Sequence, residues 1–137
     1  MALAGPMANV SLAVLALIVI KVMVATGKFQ IPDDIVLSRV VEPIVEVGPR
    51  SLQSAACMLL SVMLSLNALL AVFNLLPVLP LDGASVLQGL FPNSLGRAYD
   101  AMRSVPMIEL LGLVIAWGLS RHILGPTFSL MSELLRL

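Results

Sequence analysis

The stretch Asn74-Leu75-Leu76-Pro77-Val78-Leu79-Pro80-Leu81-Asp82-Gly83 closes an uncharged run that starts at Ser51 and holds 31 residues through Leu81. Its first part, Leu52 to Leu76, is long enough to cross a bilayer as a helix, at about 1.5 Å per residue across roughly 30 Å of hydrocarbon. Pro77 and Pro80 cannot continue that helix, because each lacks an N–H and each ring collides with the turn before it. Each also biases the residue ahead of it, Leu76 and Leu79, toward extended backbone. The expectation is a helix over 52–76 that gives way to extended chain through Leu81 and then a Leu-Asp-Gly turn. Asp82 then sits at the edge of an apolar span, where an unpartnered carboxylate is costly and should face a cation, water or a polar cavity. Irregular backbone at that depth persists only where protein covers it or a water-filled cavity adjoins it. Asn74 adds an amide one turn before the break. One reading is a polar notch built from Asn74, freed carbonyls and Asp82. The other is an ordinary helix exit, with Pro and Asp-Gly making a turn at the interface.

The rest of the chain fits a membrane setting. Of its 137 residues 59% are hydrophobic and 12% charged, where soluble domains carry roughly 25% charged residues. Mean hydropathy is +1.04. Eight basic residues balance eight acidic ones, so there is no basic excess to hold a nucleic acid, and that partner is set aside. Cys57 is the one cysteine, which excludes an internal disulfide and a multi-cysteine metal site. His122 is the one histidine, which excludes any metal site that draws two imidazoles from this chain.

Working outward, residues 1–20 carry no charge, and the apolar run predicts a span at about 7–26. No basic residue precedes its core, Met7 to Ile20, and Lys21-Val22-Met23 follows that core, which argues against a secretory signal. Residues 27–51 read as a loop. Lys28, Asp33, Asp34, Arg39, Glu42, Glu46 and Arg50 punctuate it, Pro32, Pro43 and Gly48-Pro49 break it, and the charges over 34–42 are spaced for a short surface helix. A second polar loop covers 92–106. A third span is expected at 107–124, although only 11 uncharged residues separate Glu109 from Arg121, so those charged ends must reach the headgroups. Trp117 suits an interface. His122 beside Arg121 reads as a cation at a helix end. After Gly125-Pro126, apolar residues from Phe128 to Leu137 recur near helical period and predict a short amphipathic surface helix over 127–137. Cys57 and the eight methionines read as packing. The fold class is therefore an all-α integral membrane protein: a single membrane domain over 1–137 with about three transmembrane helices. Three spans put six basic residues on one side and two on the other, and orientation stays open.

Phe73-Asn74-Leu75-Leu76-Pro77 followed by Pro80-Leu81-Asp82-Gly83 resembles the C-terminal signature of site-2 protease-like membrane metalloproteases. Ala4-Gly5-Pro6-Met7-Ala8-Asn9 resembles a second block of that family, from the helix that precedes it, and Asn67 sits where the family often has an asparagine. The resemblance covers residues 2–91. It implies cleavage of peptide bonds in or near the membrane by water activated on zinc. Two imidazoles of a His-Glu-x-x-His helix hold the metal, with the glutamate as base. By the same resemblance Asp82 is the third zinc ligand, and Asn74 holds substrate or the developing oxyanion. Pro77, Pro80 and Gly83 form the structural turn, with Gly83 letting the backbone turn tightly after the ligand.

The chain departs from that pattern in having no His-Glu-x-x-His. One aspartate cannot hold a catalytic zinc that needs three protein ligands, so Zn2+ is expected in the complete family member and not on this chain alone. Two accounts stay open. The chain is the C-terminal part of a longer protease, with Met1 an internal methionine and the N-terminal helices missing. Or it is a non-catalytic integral membrane binding or regulatory protein derived from the same scaffold. A small transporter or channel subunit fits less well, since only one carboxylate stands at the edge of a span. The partners implied are membrane lipid, a transmembrane peptide or protein substrate and the missing helices. The expected location is the cell (inner) membrane of a prokaryote.

Overall fold

The computed structural model describes residues 3–44, 48 and 51–137. Glu46, Pro49 and Arg50, read above as part of the polar loop, lie outside the described residues. Three helices are long and apolar enough to cross a membrane: α1 (Ala4–Ala25), α2 (Leu52–Asn74) and α5 (Ile108–Arg136). The chain is an all-α integral membrane protein with three candidate spans. Two short helices, α3 (Asp82–Leu90) and α4 (Arg97–Arg103), lie between α2 and α5 and are separated by a π-helical turn over Pro92–Gly96.

Local chemistry sets most of these ends. Pro6 stands in the first turn of α1, where its missing N–H would have had no helical partner. At the other end Gly27, at φ 69°, closes α1: its N–H bonds to the Val24 carbonyl and that of Lys28 to the Met23 carbonyl. This is the left-handed cap that glycine adopts without a Cβ clash. Ser51 caps α2 by accepting from the Ser54 N–H at 3.1 Å. Pro77 ends α2, since a helix through it would drive its ring into the Phe73 carbonyl.

α1 and α2 pack closely, and Ala16, Ile20, Cys57 and Leu64 form the core between them together with Met131 and Leu135 of α5. The loop between α1 and α2 is not a surface helix over 34–42. Phe29–Gln30 (β1) pairs antiparallel with Glu42–Pro43 (β2), and Val36 bridges Arg39. The resulting hairpin lies along α2. The Val40 and Val41 N–H groups both donate to Ser61 Oγ, at 2.9 and 3.2 Å, and Ser65 Oγ donates to the Leu37 carbonyl at 2.5 Å. Ser65 is about 20 Å along α2 from Leu52. The hairpin therefore follows the helix well into the bundle, with Phe29, Val40 and Val41 buried. Backbone hydrogen bonding to serine makes that burial tolerable where a surface helix would have exposed the same valines.

The helix over 107–124 and the separate surface helix over 127–137 are one continuous α5, with Pro126 inside it. Thr127 Oγ1 donates to the Ile123 carbonyl at 2.7 Å, beside the gap that proline opens in the backbone ladder. Such local bonds let a membrane helix carry proline. His122 is accordingly an exposed residue in the middle of a helix and not at its end, so the dipole account of it does not apply. The polar stretch 92–106 is largely helical rather than a loop.

Candidate functional site

The chain between α2 and α3 is a compact run of turns, not the extended segment expected from the two prolines. The Leu76 N–H bonds to the Phe73 carbonyl, that of Val78 to Leu76 at 2.8 Å, and that of Leu81 to Val78 at 2.8 Å. The Leu79–Pro80 peptide is cis. Leu81 is extended (φ −70°, ψ 156°), as the residue ahead of a helix. Asp82 and Gly83 then form the first turn of α3 and do not make a Leu-Asp-Gly turn. A carboxylate in a first helical turn sits at the positive end of the helix dipole.

Gly83 does not have the left-handed backbone that a tight turn would require; among the described glycines only Gly27 does. Its role is close approach. It is buried, and a Cβ there would run into the Leu75 and Leu76 carbonyls at the end of α2. That contact holds the first turn of α3 against the chain leaving α2. Gly112 of α5 plays the same part against the Leu79 carbonyl. The proline-rich turn is thus pressed between two glycines, one on each neighbouring helix.

Asp82 is half-buried and lies against the start of α1, where a Cβ on Gly5 would stand 2.6 Å from Asp82 Oδ2. The fold therefore brings together the Ala4–Asn9 block and the Asp82-Gly83 block. Asn74, half-buried, is the last residue of α2. Asn67 lies within α2, and its Nδ2 donates to the Met63 carbonyl of the same helix at 2.7 Å. His122 is about 15 Å along α5 from the Gly112 contact. Among the described residues no three of His, Cys, Asp and Glu converge as a metal-holding group. Asp82 is the single carboxylate at the turn, one donor where a catalytic zinc takes three from protein. The residues present thus do not by themselves fit a zinc centre.

Sequence reasoning did not single out Tyr99. Its hydroxyl donates to the Pro77 carbonyl at 2.7 Å, and it lines an open apolar groove of about 360 Å³ with Pro77, Leu79, Met102, Leu111 and Ile115. It is the one tyrosine of the chain, set in a polar stretch with no periodic relation to the prolines it meets. Gly112 was equally hidden, as one of two glycines in an apolar run.

Comparison with known families supplies a match. The model described as Peptidase family M50, the site-2 protease family, matches residues 1–118. The match runs beyond the 2–91 region through α4 and into α5 as far as Gly118. Neither the curated proteins nor the solved structures yielded a match.

Proposed function

The chain belongs to peptidase family M50, and from that premise we propose that it is the carboxylate-bearing part of an intramembrane zinc protease. In this reading Asp82 is the third donor to a zinc whose two imidazoles come from a His-Glu-x-x-His helix outside this sequence. Asn74, at the break of α2, orients the substrate. The observation that carries the reading is the contact of Asp82 with Gly5, which unites the two blocks that resemble the family. The substrate class is a transmembrane peptide or protein unwound next to the Pro77–Pro80 turn. Its partners are the zinc-binding helix and the surrounding lipid, and its compartment is the cell membrane of a prokaryote.

A second reading has one observation in its favour, the lack of a three-donor group among the described residues. It makes the chain a non-catalytic membrane protein that binds or regulates a partner at the same notch. Proteolysis of a membrane peptide in the presence of zinc separates the two. The protease reading expects no turnover from the purified chain. It expects turnover once a His-Glu-x-x-His helix is supplied in the same polypeptide or in trans, and loss of that turnover in Asp82→Ala. Turnover by the chain alone that disappears in Asp82→Ala contradicts it. A helix-supplemented chain that neither takes up zinc nor cleaves supports the binding protein.

A further inference from the structure

We infer that helix α4 braces the Asp82 carboxylate from both chain directions, with Tyr99 as its positioning residue. Upstream of Asp82, the turn uses its own donors elsewhere: the Val78 N–H bonds to the Leu76 carbonyl and the Leu81 N–H to the Val78 carbonyl. Pro77 and Pro80 offer no N–H at all. The Pro77 carbonyl takes its hydrogen bond from outside the turn, from the Tyr99 hydroxyl at 2.7 Å. Downstream, Asp82 opens α3, and α3 is tied to the same helix. Gln88 Nε2 donates to Asp100 Oδ1 at 3.1 Å, and an Arg103 guanidinium nitrogen reaches Ser85 Oγ at 3.4 Å.

Tyr99, Asp100 and Arg103 all belong to α4, so a single short helix holds the chain on each side of the carboxylate. α5 backs the turn through Gly112 against the Leu79 carbonyl. A functional group is held to a productive geometry when its supporting residues are themselves locked by packing and hydrogen bonds. Here the lock is a phenol on a carbonyl that no backbone donor of the turn serves. The catalytic meaning of the brace rests on Asp82 being the metal donor proposed above; the brace itself does not.

Thiol labelling of the full chain in detergent micelles tests it. In a Cys57→Ala background, Asp82→Cys reports the braced position. Gly48→Cys reports an exposed site in the loop between α1 and α2, outside the spans, where nothing among the described residues lies within 4 Å of an added Cβ. The probe is a cationic methanethiosulfonate. Tyr99→Phe removes only the hydroxyl. The labelling rate at position 82 is expected to rise on the order of fivefold in Tyr99→Phe, with the rate at position 48 unchanged. An unchanged rate at 82, or an equal rise at 82 and 48, overturns the brace. If circular dichroism shows that Tyr99→Phe loses helix, Gln88→Met tests the downstream tie by the same criteria. The assay contains neither metal nor substrate, so a negative result refutes the brace and leaves the zinc-donor reading to its own proteolysis test.

Discussion

Gly5 and Asp82 occupy one place in the fold: a methyl group on Gly5 would stand 2.6 Å from Asp82 Oδ2. The first turn of α1 thereby shapes the space available to the carboxylate that opens α3. The neighbour is the far end of a side chain, so the clash can be relieved by rotating Asp82. Gly5→Ala is therefore expected to change stability by less than about 1 kcal/mol while moving the carboxylate. A double-mutant cycle of Gly5→Ala with Asp82→Ala, read by thermal unfolding in detergent, should show a coupling of at least about 0.5 kcal/mol. Strict additivity would mean that the two residues do not meet.

Gly83 and Gly112 differ from Gly5 because the atoms they face are backbone carbonyls. No rotamer change clears a carbonyl, so helix α3 or α5 must shift as a whole. Gly83→Ala and Gly112→Ala are each expected to destabilise the protein by about 3 kcal/mol, at the upper end of overpacking costs. Gly118→Ala on the open face of the same α5 serves as the contrast. It should be neutral or stabilising by up to about 1 kcal/mol, the helix-propensity gain of alanine over glycine. Equal effects at 112 and 118 would contradict the close approach of α5 to the Leu79 carbonyl.

Ser61 accepts from two buried backbone N–H groups, those of Val40 and Val41. Ser61→Ala leaves both without an acceptor, at a cost of about 1–3 kcal/mol per orphaned group. Amide hydrogen exchange at Val40 and Val41 should accelerate, while exchange in the middle of α1 stays slow. Unchanged exchange at the two valines would place the hairpin somewhere other than along α2.

The three spans were legible because long uncharged runs leave the chain few alternatives to helices across a bilayer. The end of α2 was legible for the same kind of reason, since Pro77 removes a donor and adds a clash. The same rule misled at Pro126, because it counts the broken ladder without the Thr127 hydroxyl that bonds one carbonyl beside the gap. It misled again over 76–81, where hydrogen-bonded turns between Gly83 and Gly112 replace one continuous extended segment. The hairpin was invisible because each of its strands is only two residues long. The serines that hold it sit in an apolar run, where a hydroxyl reads as filler. At the site, Asn74 and Asp82 stood out by their chemistry. Tyr99 did not, since its importance lies in a contact with a residue 22 positions away, and no local pattern encodes that distance.

The proposed zinc takes one donor, Asp82, from this chain and its imidazoles from elsewhere. X-ray absorption at the zinc edge, on the chain joined to a His-Glu-x-x-His helix, tests it most directly. The expected spectrum is that of a centre with two imidazole nitrogens and a carboxylate oxygen, with loss of that oxygen in Asp82→Ala. A zinc spectrum that Asp82→Ala leaves unchanged would contradict it.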